Sequence, residues 1–389
     1  MTRDVRELHL FADGVPASAA PGSTRVWDLG VRLFHWLLVA AVVVSLTTGL
    51  YGPPDWLNLH LGAGAAIAAL MAFRVLWGFT GSTYARFSSF PVRWSAIAAD
   101  VAGLASGRRP ARLGHNPLGS LMVLALLAVL TASVLTGVVA LGGVDKQGPL
   151  AFATRYAAGT AAEDVHQLLA YVLLVMIVGH LLGVTYESVH GHADLVRAMV
   201  TGEKRAALSI RPGALAKARP IATGIVLLPL LAIGARQVVA LSARPAYGVP
   251  AGSLDRTYAK ECGSCHFAYP PSLAPRARWM ALMDGLAEHF GEDASLEPDV
   301  ATAIRAYLEN NSAEKWDTRV AHQLAFANPR DPLRLTATPY WTWTHRRIPE
   351  AVFKSRAVRG KGACDACHGD AATGRFDPQA IYIPERALQ

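Results

Sequence analysis

Five long apolar runs, near residues 31–50, 58–79, 117–142, 164–186 and 221–241, constrain this chain more than any other feature. Each approaches or exceeds the ~20 residues that a helix needs to cross a hydrocarbon core about 30 Å thick. Composition agrees. Of 389 residues, 52% are apolar and 17% charged, too apolar for an ordinary soluble protein of this size. Beyond residue 241 the pattern changes to short amphipathic stretches, many Pro and Gly, and mixed charge. The expected fold class is all-α, with a transmembrane bundle of four helices, a fifth anchoring helix, and a helix-rich, irregular soluble domain. The expected boundaries are a tail over 1–24, a bundle over 25–205, a linker and fifth helix over 206–241, and the soluble domain over 242–389.

The charge balance supports that division. Residues 242–389 hold 18 basic and 17 acidic residues, against 19 and 12 in 1–241, so the +8 excess lies almost wholly in the membrane half. Arg86, Arg93, Arg108, Arg109 and Arg112 fall between the second and third runs, and Arg197, Lys204, Arg205, Arg211, Lys217 and Arg219 between the fourth and fifth. The connection from Tyr51 to Asn58 has no basic residue. The one after the third run has Lys146 and Arg155 against Asp145, Glu163 and Asp164. This asymmetry is the positive-inside pattern rather than a nucleic-acid footprint. The N-terminus is then expected in the cytoplasm and the soluble domain on the opposite side of the membrane. Residues 1–24 are polar, and no cleavable signal peptide is visible.

All four cysteines lie in two C-x-x-C-H runs, Cys262-Gly-Ser-Cys265-His266 and Cys364-Asp-Ala-Cys367-His368. Two thiols three positions apart can add to the two vinyl groups of one haem, with the adjacent histidine beneath the iron. A zinc site or a redox dithiol would also use paired cysteines, but neither explains a histidine after each pair. Covalent attachment takes place outside the cytoplasm, in agreement with the topology. For the sixth iron ligands the soluble domain offers His289, His322, His345, Met280 and Met283. His289 follows a helical stretch (Trp279, Leu282, Met283, Leu286), and His345 precedes the second motif by a similar interval. His322 reads as a surface or propionate-contacting residue, and the two methionines as core. Pro245 and Pro250 mark a tether that keeps the domain near the bundle without requiring an interface.

The string from Cys262 to Pro275, the segment from His289 to Leu296, Trp341-Thr-Trp-Thr-His345 and the second motif through Ile383-Pro384 resemble the small bacterial dihaem cytochromes c. The resemblance covers roughly residues 255–386. It implies a periplasmic electron carrier with His289 and His345 as distal ligands.

Histidines inside apolar runs are costly and are functional candidates by default. His35 opens the first run, His60 the second, and His166 and His180 lie on the fourth. The fourteen residues from His166 to His180 place them on one helix face, roughly 21 Å apart by a 1.5 Å rise per residue. With the expected topology, His35 pairs with His180 near the cytoplasmic surface and His60 with His166 near the periplasmic one. Each pair can clamp a haem, and Gly62 and Gly64 would let a flat macrocycle approach beside His60. Arg74, fourteen residues after His60, and Arg32 can neutralise propionates, with snorkelling as the alternative. His115 is a helix-entry residue or the lining of a quinone pocket, and His190 and His192 read as loop residues. Arg32–Trp36, His60, Arg74–Phe79, Gly114–Gly119 and the His166/His180 pair resemble the bacterial cytochrome b561-like group that includes the cytochrome b subunit of nickel–iron hydrogenases. That resemblance covers about residues 25–205 and implies a four-helix bundle with two b haems passing electrons between quinone and a partner.

The sequence therefore points to electron transfer through two b haems and two covalent c haems, from the membrane quinone pool to a periplasmic electron-transfer protein. Two other readings are a membrane-docking cytochrome subunit of a periplasmic dehydrogenase or hydrogenase, and a terminal oxidoreductase acting on superoxide or oxygen. No P-loop and no G-x-G-x-x-G before a helix is present, and no nucleophile or acid–base constellation points to hydrolysis. Four haems per chain are expected, two extractable into acidified organic solvent and two retained by the protein. A pyridine haemochrome assay that finds only c-type haem would contradict the reading of the membrane half.

Overall fold

The computed structural model describes residues 23–53, 56–106, 113–190, 195–205 and 216–384. Most of the N-terminal tail, Arg108, Arg109, Arg112, Arg211 and His192 lie outside them. After a short strand β1 (Ser23–Arg25) come helices α1 (Leu29–Tyr51), α2 (Leu57–Thr80), α3 (Trp94–Ser106), α4 (Pro117–Gly143), α5 (Tyr156–His190) and α6 (Leu195–Thr201), then β2 (Glu203–Arg205) and α7 (Pro220–Ser242). Among the described residues α1, α2, α4, α5 and α7 are long and apolar enough to cross a membrane. The soluble part holds α8 (Arg256–Cys262), α9 (Arg276–Asp284), α10 (Pro298–Asn311), α11 (Arg319–Gln323), α12 (Pro339–Thr344) and α13 (Glu350–Lys354), joined by 3₁₀ turns.

The expected spans agree with these helices at both ends except in α5, which starts at Tyr156 rather than 164. Its first turns carry Glu163 and Asp164, so they are helical without being apolar. Its last residue is His190, which is helical rather than in a loop and bonds through Nδ1 to the Tyr186 carbonyl at 3.1 Å. Helix α3 and the three-residue antiparallel ladder of β1 against β2 are additions to the expected architecture.

Two compact units cut across the helices. Among the described residues one comprises 23–43, 66–131 and 171–230, the other 44–65, 132–170 and 231–384. In the first, Asp28 ties the chain entry together. Its carboxylate caps α1 through the Val31 amide (2.9 Å) and accepts from Trp77 Nε1 (3.0 Å) and the Ser82 amide (3.0 Å). Asn116 caps α4 in the same way, accepting from the Gly119 amide at 2.6 Å with Pro117 at the first helical position. Around this end Val26, Trp27, Val31, Trp77, Ala85 and Ala198 form the buried cluster.

In the second unit the soluble domain packs α9 and α10 around Tyr258, Trp279, Met283, Ile304 and Leu308. Two smaller clusters follow, one on Leu273, Val320 and Leu324 and one on Val352, Phe353 and Val358. The same unit contains the α4–α5 connection, and the soluble domain is bonded to it rather than merely tethered. Lys146 is 3% exposed and its ammonium donates to Asp317 at 2.7 Å and to the Thr154 carbonyl at 3.1 Å. Asp317 also accepts from the Tyr156 amide (2.7 Å), and its amide donates to the Gly248 carbonyl (2.7 Å). Gly248 has φ +67 and an added Cβ there would collide with Asp317, so the tether turns where only glycine fits. Arg319 pairs with Asp145 (2.8 Å), Gln147 donates to Asp377 (2.8 Å), Gln323 to the Tyr156 hydroxyl (3.0 Å), and Gln379 to Asn58 (3.3 Å).

Burial pushes the Asp317 carboxyl up, but hydrogen bonds from Lys146, His322 and the Tyr156 amide, with the Lys146 charge, bring it below the ordinary aspartate range. Its contribution is therefore complete above the unfolded value of about 3.9 and is lost as pH falls through its lower folded value. Lys146→Met leaves this half-buried carboxylate without its cation, a loss of roughly 1.5–3 kcal/mol for a hydrogen bond to a charged group. Hydrogen exchange over 244–250 and 315–323 should accelerate in the variant at neutral pH. Unchanged protection there would show that the ion pair does not hold the domain.

Candidate haem sites

Three pairs of histidine rings face each other at nearly one spacing. The ring centres of His60 and His166 are 6.1 Å apart, those of His266 and His289 6.2 Å, and those of His345 and His368 6.1 Å. A metal–imidazole bond of about 2 Å on either side of one ion puts ring centres roughly 6 Å apart. The spacing thus fits two axial imidazoles on one iron. His35 on α1 and His180 on α5 belong to the same compact unit, and the Nδ1 of His35 is buried without a hydrogen bond among the described residues. No three His, Cys, Asp or Glu side chains converge as a metal cluster among the described residues, so the two-ring pairs are the arrangement present.

Local structure aims each soluble-domain ring. His266 directs Nδ1 to the Phe267 carbonyl (2.8 Å), directly after Cys265. His289 sits in a tight reversal, bonded through its backbone to Glu292, with Phe290 (φ 55) and Gly291 (φ 98) turning the chain. His345 ends α12, donates from Nδ1 to the Trp341 carbonyl (2.9 Å) and stacks on that indole at 4.3 Å. His368 is anchored by neighbours: the Gly369 amide donates to the Ala380 carbonyl (2.9 Å) and the Tyr382 amide to that of Cys367 (2.8 Å). Burial, with the facing ring, pushes the His289 and His368 pKa values down, and burial does the same for His345. Neutral imidazole is the form that binds iron. Burial likewise raises the Cys262 thiol to about 11 and the Cys364 thiol to about 12.

The alternative ligand candidates lie elsewhere. His322 bonds through Nε2 to Asp317 (3.0 Å) and stacks on Tyr156 at 4.6 Å, within the contact between soluble domain and bundle. Met283 is buried in the α9–α10 core and Met280 packs against it.

In the bundle, His60 and His166 are held in matching ways that sequence reasoning missed. His60 Nδ1 meets the Ser45 carbonyl (3.0 Å) and Thr48 Oγ1 (3.1 Å). His166 Nδ1 meets the Ser133 carbonyl (2.9 Å) and Thr136 Oγ1 (3.3 Å). An added Cβ at Gly49 would lie 3.0 Å from the His60 ring, and one at Gly137 3.1 Å from that of His166. The available signal was the string Ser-x-x-Thr-Gly, present at 45–49 and again at 133–137. Gly62 and Gly64 have nothing within 4 Å of an added Cβ among the described residues, so space is open beside each of them on α2.

The arginines are engaged at the other unit's chain entry. Arg74 is 3% exposed, donates to the Ala85 carbonyl at 3.2 Å and lies over the Phe87 ring. Arg32 donates to the Val200 carbonyl, and its Nε is buried without a partner among the described residues. His115 packs between Trp27 (4.6 Å) and Phe90 (4.8 Å). Burial, then the charges of Arg74 and Lys204, push it down to about 3, so it is neutral at physiological pH.

Residues 26–202 match the prokaryotic cytochrome b561 family, and residues 258–376 match dihaem cytochrome c. The chain joins a cytochrome b561 domain to a dihaem cytochrome c domain. Over 209 residues it is 24% identical to the probable Ni/Fe-hydrogenase 1 B-type cytochrome subunit of Escherichia coli (strain K12), covering 46% of this chain and 88% of that protein. It is 25% identical over 210 residues to the probable Ni/Fe-hydrogenase B-type cytochrome subunit of Cupriavidus necator, covering 46% and 86%. Among solved structures, the diheme cytochrome type c of Shewanella baltica is 32% identical, covers 33% of this chain and 93% of that one, with a TM-score of 0.28. The diheme cytochrome c of Rhodobacter sphaeroides is 34% identical and covers 31% and 95%, with a TM-score of 0.27.

Within the dihaem domain the ring pairs predict a clear spectral contrast. His289→Ala and His345→Ala should each turn one c haem high-spin and open to an added ligand, while His322→Ala should leave both low-spin. A high-spin species from His322→Ala, with none from the other two, would reassign the ligands.

Proposed function

We propose that this membrane electron-transfer protein connects a membrane quinol to a periplasmic acceptor through two b haems and two c haems. The observation that carries the reading is the bonded contact between the dihaem domain and the α4–α5 connection, in the same compact unit as the His60–His166 pair. Haem iron, when bound, supplies reversible one-electron chemistry. His60 and His166 then hold an outer b haem, and His35 and His180 an inner one. Cys262 and Cys265 attach the first c haem between His266 and His289. Cys364 and Cys367 attach the second between His368 and His345. Arg32 and Arg74 are proposed to neutralise inner-haem propionates. The basic connections support a cytoplasmic N-terminus and a periplasmic C-terminal domain in the bacterial inner membrane.

The names of the b561 relatives favour a second reading, in which the chain docks a periplasmic hydrogenase or dehydrogenase and electrons flow inward to quinone. In the reading proposed here, the chain's own dihaem domain, bonded to the α4–α5 connection, takes the role of that partner, and electrons flow outward.

Full-length protein in lipid nanodiscs should show reduction of its b-type absorption by a short-chain quinol, followed by its c-type absorption. In His60→Ala the quinol should no longer reduce the c haems, although dithionite still should. If the c haems of the variant are reduced by quinol at the original rate, the relay is not the route and the docking reading takes its place.

A further inference from the structure

The strings Ser45-Leu-Thr-Thr48-Gly49 on α1 and Ser133-Val-Leu-Thr136-Gly137 on α4 are the same local device used twice. We propose that they are paired positioning cradles that fix the tautomer and ring orientation of His60 and His166, so that both present a bare Nε2 to one iron. The inference rests on the assignment of these two histidines as ligands of the outer b haem.

The tautomer follows from counting protons. A threonine hydroxyl has one hydrogen to give. That of Thr48 goes to its own helix, with the Val44 carbonyl at 2.7 Å and the Ser45 carbonyl at 3.1 Å. That of Thr136 goes to the Ala132 carbonyl at 2.8 Å and the Ser133 carbonyl at 3.1 Å. The oxygen facing each imidazole is therefore an acceptor, and the other atom facing it is a carbonyl, also an acceptor. Nδ1 must carry the proton in both rings. A neutral imidazole has only one N–H, so Nε2 is left with its lone pair.

The glycines set the distance. With added Cβ atoms at 3.0 and 3.1 Å from the rings, alanine at Gly49 or Gly137 would press each ring away from its carbonyl. Glycine is unfavourable in a helix interior, and its presence at the same offset from Ser and Thr in both helices has this steric reason. The His35–His180 pair differs, because His35 Nδ1 has no partner among the described residues. An N–H···O bond behind a ligand raises its basicity and stabilises ferric iron, so the cradles lower the potential of the outer b haem specifically.

The test uses the full-length protein, potentiometric titration and EPR of the oxidised haems. His60→Ala first identifies the outer b signal by its loss. Thr48→Val and the milder Thr136→Val keep the side-chain shape and remove the acceptor. Each should raise the midpoint of that signal and alter its g values, leaving the inner b haem and both c haems in place. Thr48→Ser and Thr136→Ser should restore both readouts. Gly49→Ala and Gly137→Ala should weaken retention of the outer haem by about 10–100-fold, the usual effect of losing such a supporting contact. Wild-type midpoint and g values in both valine variants, or serine variants shifted as far as the valine ones, would overturn the cradle. If His60→Ala keeps both b haems, the ligand assignment itself fails and the proposal falls with it.

Discussion

A buried imidazole needs its nitrogens satisfied, and that requirement organises both halves of this molecule. A ring set into an apolar helix or a small domain core loses its water, and each unpaired nitrogen then costs free energy. Three ring pairs at 6.1–6.2 Å meet the cost in the same way where their partners are visible. In four of the six rings one nitrogen is taken by a backbone carbonyl, that of Ser45, Ser133, Phe267 or Trp341, whereas His368 Nδ1 is buried without a partner among the described residues. The other is left to face its mate. The bundle and the dihaem domain share no sequence pattern around these histidines, yet arrive at one local solution.

Placement of the pairs depends on very different scaffolds. In the bundle, helices carry His60 and His166 and neighbouring helices supply the carbonyls. In the dihaem domain, turns do both jobs, so His289 needs a left-handed Phe290–Gly291 reversal and His345 needs the end of a helix only six residues long. A small domain of this kind gains little from its core alone, and the covalent haem proposed at each cysteine pair would compensate. Its bonds to the α4–α5 connection add a further constraint, centred on a lysine with almost no exposure.

Much of this was legible from residues alone, for physical reasons. Apolar length marks the crossing helices, and two C-x-x-C-H runs mark the domain that follows them as a cytochrome c without structural help. The fourteen-residue interval between His166 and His180 predicts one helix, and α5 carries both. What stayed hidden were contacts to main-chain atoms, which no side-chain pattern announces. Ser45 and Ser133 act through their carbonyls, so their side chains gave no signal, and only the repeated Thr-Gly that follows them did. The interface was hidden for a second reason. Lys146 and Asp317 are 171 positions apart, and Pro245 with Pro250 between them suggested a loose tether. His322 is exposed, in keeping with its reading as a surface residue, and its partners Asp317 and Tyr156 come from both sides of that contact.

The central claim is that every haem in this chain lies between two histidines. Near-infrared magnetic circular dichroism of the fully oxidised protein tests it most directly, because the charge-transfer band of low-spin ferric haem reports the chemical identity of both axial ligands. Bis-imidazole signatures alone, accounting for all the haem present, are the predicted result. A histidine–methionine band, or a high-spin five-coordinate component in the unmodified protein, would contradict it.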